Sequence, residues 1–359
     1  MSEQIQKWRS QREAFREGLQ YIDQRRKGLV KSLQTPWKKF NDAGTNGIEW
    51  HTMTALCARA AVGKTTMKDQ LVRESFVLNP GEDFRVLDFQ FEMLAKVSAV
   101  REFSSVLGKS YKYLASAEEN ILSDVELERC FNYSKKRVEY PVDVVDDPCT
   151  VKDMTTIIES YMKVYSQELP QPVYLYKDQK PIMDENGKHV FEIKEVTCYK
   201  KTLICIDHAL LVLEASREGQ NAMLHDLCKM CTKLKRKYPI SFLLLNHLNR
   251  QIESPERYQE GHYGNYINTS DISGSDAILQ HADMIIGGNR PGYFKIHLYG
   301  PDQYIIEDED VLVYHFLKCR NGDTRMAFFK GDFEKMKIIE IPTPPMANSV
   351  DRGGKIKTR

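Results

Sequence analysis

The run from Ala58 to Thr66, Ala-Arg-Ala-Ala-Val-Gly-Lys-Thr-Thr, leaves an apolar stretch and opens a helix-like one. Its second half, Gly63-Lys64-Thr65, closes the phosphate-binding pattern G-x-x-x-x-G-K-[ST]. Such a loop aims backbone N–H groups at a phosphate on a helix N-terminus, where the helix dipole favours anions. In that chemistry Ala61, Val62, Gly63, Lys64, Thr65 and Thr66 form a nucleotide cradle for ATP. Lys64 reaches the β- and γ-phosphates, and the Thr65 hydroxyl ligates Mg2+. Ala58 stands where the general pattern has its first glycine. Alanine costs little there provided φ stays negative.

Hydrolysis needs further groups near the phosphates. Thr202-Leu203-Ile204-Cys205-Ile206-Asp207 is an apolar strand ending in an acid, which puts Asp207 at a strand's C-terminal end as a ligand of Mg2+. An aspartate that merely caps a strand end is the alternative. Glu92 lies just past Phe84–Phe91 and suits the carboxylate that polarises the attacking water. Asp88 competes for that role but sits inside the strand. The apolar run from Ile240 delivers Asn246 and His247 to the same sheet edge, where a histidine can sense the terminal phosphate. A satisfied core or loop histidine is the rival reading. Lys318 and Arg320 alternate along a strand and project from one side, either as cations for the phosphates of a neighbouring subunit or as a solvated face.

These groups need a scaffold that brings strand ends together. From residue 50 onward, apolar runs alternate with longer helical patterns. Such runs at 51–58, 84–91, 141–145, 202–212, 240–248, 282–288 and 311–320 predict an α/β fold with a mostly parallel central sheet flanked by helices. Residues 2 to about 33 read as an amphipathic helix with Ile5, Trp8, Phe15, Leu19 and Ile22 on one side. It packs on its own domain or serves as an arm that docks on a neighbouring subunit. An Asn186-Gly187 turn signal between two strand-like halves marks an inserted β-hairpin at about 170–200. The expected organisation is therefore a basic helical arm at 1–34, a motor domain at 35–341 and a disordered tail at 342–359.

Bulk composition narrows the function classes. With 42% hydrophobic residues in 359, the chain has ample material for a large core. Net charge is +1, so no global field draws nucleic acid or membrane, although residues 1–40 carry ten Lys or Arg against four Asp or Glu. No apolar run approaches the roughly 18 residues of a membrane span, and the charged start is unlike a secretory leader. The eight cysteines show no disulfide spacing, so a reduced, cytoplasmic setting is expected. Cys228 and Cys231 share a helical stripe with Leu224, Leu227 and Leu234, which indicates a buried face rather than zinc.

In order along the chain, these segments resemble hexameric replicative helicases of the DnaB type, with features of the phage primase–helicase and Twinkle branch. The likeness covers about residues 20–335. Leu87–Met93 is similar to the family's F-S-L-E-M, which implies that Glu92 is its catalytic glutamate. Ile204–Val212 resembles the Walker B segment. In Asn246–Arg250, His247 stands where the primase–helicase branch also has histidine. Leu317–Thr324 resembles K-Q-R-N-G-P-T-G, which supplies the family's trans-acting lysine and arginine. Ile272–Ile286 is similar to a stretch whose preceding loop contacts single-stranded DNA. Here Ser273 replaces an arginine and Gly274 is displaced, so backbone amides near Ser273, Gly274 and Ser275, together with Arg250, are the expected DNA contacts.

The resemblance implies a RecA-like P-loop ATPase core, ATP at the interfaces of a homo-hexamer, and a primase or loader as further partner. A bacterial or phage-infected cell is the implied setting. A recombination mediator or helicase loader that binds DNA without unwinding is the competing function. With the likeness beginning at about residue 20, no N-terminal scaffold domain of the family is expected in this sequence.

Overall fold

The computed structural model describes residues 10–118, 121–174, 176–177, 180–185, 187, 190–214, 219–258 and 266–347. The helices are α1 (Gln11–Arg26), α2 (Lys38–Ala43), α3 (Lys64–Leu78), α4 (Ala95–Leu107), α5 (Tyr111–Leu114), α6 (Asp124–Arg137), α7 (Val151–Val164), α8 (Gln220–Lys237) and α9 (Ser275–His281). The principal strands are β1 (Met53–Ala58), β2 (Phe84–Gln90), β3 (Val142–Val145), β4 (Gln167–Tyr174), β5 (Phe191–Cys198), β6 (Lys201–Asp207), β7 (Ile240–His247), β8 (Met284–Asn289), β9 (Val311–Cys319), β10 (Arg325–Asp332) and β11 (Lys337–Glu340).

Nine of these strands form one sheet in the order β11-β10-β9-β8-β1-β7-β6-β2-β3. From β8 to β3 all neighbours are parallel. The β8–β9, β9–β10 and β10–β11 pairs are antiparallel. Helices cover both faces of the parallel part, so alternate residues of each strand are buried on opposite sides and the runs read as continuous. Ile204, Phe242 and Leu244 pack with Met154, Ile158, Leu227 and Cys231 of α7 and α8. Leu203, Leu243 and Leu245 pack with Met67, Leu71, Trp37 and Phe40 on the other face. Cys228 and Cys231 are free thiols on the inner face of α8, among Leu224, Leu227 and Leu234.

Several boundaries differ from the sequence expectations. The strand expected at 202–212 stops at Asp207, where His208 caps a short 3-10 turn from Ala209 to Leu211. β10 and β11 lie outside the expected strands: β10 has a short apolar run between charged ends, and β11 is only four residues long. α1 begins behind a Ser10–Glu13 capping box and ends by Lys27, well short of residue 33. Ile5 and Trp8 lie outside the described residues. α1 buries none of its own residues, and Phe15, Leu19 and Ile22 are exposed. It is tied to the body through Arg25, which donates to the Thr45 carbonyl at 2.9 Å.

The inserted hairpin is present as β4 paired antiparallel with β5, although Asn186 of its turn signal lies outside the described residues. The tail boundary at Pro342 is early. Ile305 N–H donates to the Met346 carbonyl and Ala347 bridges Tyr304, while 348–359 lie outside the described residues.

Candidate nucleotide site

β1 delivers the chain to the phosphate loop, and Gly63 caps α3 in the left-handed region. Ala58 is still in extended strand backbone, so its Cβ is free of strain there. The left-handed turns fall instead on Ala61 (φ 62°) and Gly63 (φ 88°). A Cβ on Gly63 would stand 2.5 Å from Cε1 of Phe333, in the turn between β10 and β11.

Lys64 is 7% exposed. Its ammonium donates to the carbonyls of Ala58 (2.9 Å) and Arg59 (3.1 Å) and lies 3.4 Å from Nδ1 of His247. Burial lowers its pKa, against the pull of Asp207 and Glu92. Val62 is buried, Ala61 exposed, and Thr66 buried one step along α3 from Thr65.

The Thr65 hydroxyl favours the charged form of the Asp207 carboxylate. Asp207 is 2% exposed, and its Oδ1 has no hydrogen-bond partner. Burial raises its pKa to about 6, opposed by Lys68 and reinforced by Asp69 and Asp88. An orphaned buried carboxylate oxygen beside a threonine hydroxyl is the donor set of a hard divalent cation, so Thr65 and Asp207 fit Mg2+. Glu92 is exposed just past β2, held where its N–H and that of Phe91 both meet the Asp207 carbonyl (3.3 and 2.8 Å).

Two histidines face each other at the β6 and β7 ends, with Nε2 of His208 and His247 3.3 Å apart. Leu210 N–H donates to Nδ1 of His208, which leaves its proton on Nε2. Nδ1 of His247 faces the Lys64 ammonium, 3.4 Å away. Burial, followed by the Lys64 ammonium, lowers both to about 4, so both rings are neutral at physiological pH.

Around these groups opens a cleft of about 850 Å³, lined among others by Lys64, Thr65, Glu92, His247, Arg290 and Phe333. Arg290 is clamped by Asp310 at 2.6 Å and lies 4.5 Å from the Phe333 ring centroid. His208, Arg290, Phe333 and the buried Lys68 were not reached from the sequence. The only available signals were an apolar run ending before Arg290 and a glycine turn before Phe333.

No protein-family model matches the chain, and no curated protein matches it in sequence. Solved structures do match. A helicase ATPase domain solved on its own aligns over 90% of this chain and 98% of that domain, with a TM-score of 0.69 and 14% identity. The fold is that of a DnaB-type helicase motor. A DnaB-like replicative helicase, described with its interactions with primase, aligns over 87% of this chain at a TM-score of 0.65 and 14% identity. This chain covers 64% of that protein, under two thirds of its length. The shared RecA-like core explains why the loop, Asp207 and His247 arrive at one sheet edge: they end three adjacent parallel strands, β1, β6 and β7.

Lys318 and Arg320 are elsewhere. Lys318 pairs in register with Ile285, and Ile285 with Ala55, so it sits roughly 10 Å along the sheet from the end of β1. Lys318 donates to the Leu279 carbonyl, and Arg320 to that of Gln280 at 2.8 Å. Both cations therefore rest on the C-terminal carbonyls of α9.

The residues expected at DNA are reached through His247. Arg250 is exposed and opens a 3-10 turn. The Ser273 amide, expected to be available to phosphates, already donates to the His247 carbonyl at 3.1 Å, and its own carbonyl accepts from Asn246 at 2.7 Å. Gly274 caps α9 with φ 64°, and Ser275 begins that helix. Residues 259–265 lie outside the described residues.

Proposed function

We propose that this chain is the ATP-hydrolysing motor of a DnaB-type replicative helicase. It works as a ring-shaped homo-hexamer on single-stranded DNA, with ATP bound between subunits. The observation that carries the reading is the split of the charged groups. Lys64, Thr65, Glu92, Asp207 and His247 gather at one sheet edge, whereas Lys318 and Arg320 lie back from it, on the last carbonyls of α9. A cation pair held away from its own chain's phosphate loop suits a neighbour's ATP.

In this reading the amides from Ala61 to Thr66 cradle the phosphates, and Lys64 exchanges two loop carbonyls for phosphate oxygens. Thr65 and Asp207 would hold Mg2+, which would supply positive charge to the polyphosphate. Glu92 takes a proton from the attacking water. Arg290 and Phe333 offer a flat wall to the base. His247 reads the terminal phosphate, and its carbonyl bond to Ser273 passes a change toward the loop that meets DNA, alongside Arg250. The exposed apolar side of α1 supports its role as a subunit-linking arm. A primase or loader is the further partner.

ATPase and strand displacement on a forked duplex test this together. Wild type is expected to unwind with ATP, Lys64→Ala to lose nucleotide binding, and Glu92→Gln to bind ATP without turnover. DNA-stimulated hydrolysis with no displacement would sink the helicase assignment and leave a mediator or loader. A native mass of one subunit in the presence of ATP analogue and single-stranded DNA would sink the ring.

A further inference from the structure

One turn beyond Lys64, α3 carries Lys68 into the protein interior, where its side chain is 1% exposed. Its ammonium lies 2.8 Å from Asp88 Oδ2, 2.9 Å from Asp69 Oδ1 and 3.7 Å from Asp207 Oδ2. Gln90 donates to the same Asp88 oxygen at 2.7 Å. The strand register builds this group: Asp88 lies beside Cys205 and Gln90 beside Asp207, so both β2 side chains share one face with Asp207 beneath α3. Phosphate binding by the loop does not require it. A buried ion pair is seldom a net source of stability, and apolar residues of similar volume would fill the space as well.

The orphaned atoms show what the cluster does. Asp207 Oδ1, Asp88 Oδ1 and Gln90 Oε1 are all buried without a hydrogen-bond partner. On Asp207 the ammonium faces Oδ2, and the oxygen left open is Oδ1. Asp69 and Asp88 hold Lys68 at shorter range than Asp207 does, so the cation stays fixed whether or not Asp207 is engaged.

We infer that Lys68, anchored by Asp88, is a positioning residue for the metal. It holds Oδ2 of Asp207 so that Oδ1 is presented, beside the Thr65 hydroxyl, to the divalent cation that accompanies the nucleotide. The inference rests on Thr65 and Asp207 being the metal-side pair of the proposed function. It also explains an acid inside β2, which has no place in catalysis.

The test is Mn2+ binding to the ADP-loaded full chain, followed by electron paramagnetic resonance of free Mn2+, with thermal melting as the control for folding. Lys68→Met alone strands carboxylates in the core. The informative variant is Lys68→Met with Asp88→Leu, which replaces the pair by apolar groups of like volume. It should melt near wild type and bind Mn2+ about tenfold more weakly, the scale seen when partners of metal ligands are removed. Asp88→Asn keeps the shape and loosens the anchor, and about threefold weaker binding is expected. Wild-type Mn2+ affinity in either folded variant overturns the positioning role. If wild type itself takes up no Mn2+ with ADP, the reading of Thr65 and Asp207 fails, and the inference falls with it.

Discussion

The paired histidines make acidification a sharp test of the site. His208 and His247 are held at about 4, chiefly by burial and then by Lys64, against 6.5 for an ordinary histidine. Their folded values are depressed, so an unfolded chain binds protons first as pH falls. Stability is then lost through the window from 6.5 down to about 4. At pH 5 the unfolded ring is almost fully protonated and the folded one almost fully neutral; over the roughly 1.5 pH units below 6.5 this amounts to roughly 2 kcal/mol per ring. His247 borders the open cleft with His208 against it, and solvent screening reduces this to about 1 kcal/mol each. His208→Asn combined with His247→Asn should therefore lose about 2 kcal/mol less than wild type between pH 7.5 and 5.0, measured by urea unfolding. His315, also pushed down to about 4 by burial, and Asp207, shifted in the opposite sense, are common to both chains and cancel in the comparison. Parallel stability curves, within about 0.5 kcal/mol, would refute the neutral-pair geometry.

Four further outcomes follow from the same geometry. Gly63→Ala should cost about 1 kcal/mol for its positive φ, with more for the contact at 2.5 Å with Phe333, and weaken nucleotide binding; adding Phe333→Ala should return the contact part only, as read by melting. Gly322→Ala puts a Cβ 2.0 Å from the Ala43 carbonyl, and a loss of about 1–3 kcal/mol in urea unfolding is expected. Lys318→Ala with Arg320→Ala should keep nucleotide affinity and lower turnover by roughly 10³. Mixing these subunits with Lys64→Ala subunits should restore part of the activity, and a flat result would refute a shared site. Because Asp207 titrates at about 6, Mn2+ with ADP should bind about fourfold more weakly at pH 5.5 than at 7.5, where no proton must be displaced.

The fold was legible because parallel strands buried on both faces leave unbroken apolar runs, as in Leu203–Ile206 and Phe242–Leu245. Strand ends of that kind also disclose what stands on them, which is how Asp207 and His247 could be named from the sequence alone. What stayed hidden follows a different rule. Phe333 reaches the phosphate loop from the turn between β10 and β11 and Arg290 from just past the end of β8, both more than 200 residues away in sequence, and no local pattern encodes that approach. Lys68 reads as a surface lysine, because the sequence does not show that α3 turns that position inward onto Asp88.

The charge of the site is set by the surroundings of its residues. Lys64 is buried against carbonyls with its pKa lowered, Asp207 is buried with its own raised, and the two histidines are kept neutral. Each is held in surroundings that suit its charged form poorly, and each strain has the sign that one ligand would relieve. A polyphosphate satisfies the ammonium, and its accompanying cation satisfies the free oxygen of Asp207. Lys68 keeps that carboxylate from turning away, and His208 packs its ring edge-on against that of His247. The loop without its first glycine is thus the less unusual part of this site. In the proposed function, its preference for a metal–nucleotide complex would be built underneath, in the contacts between α3, β2 and β6.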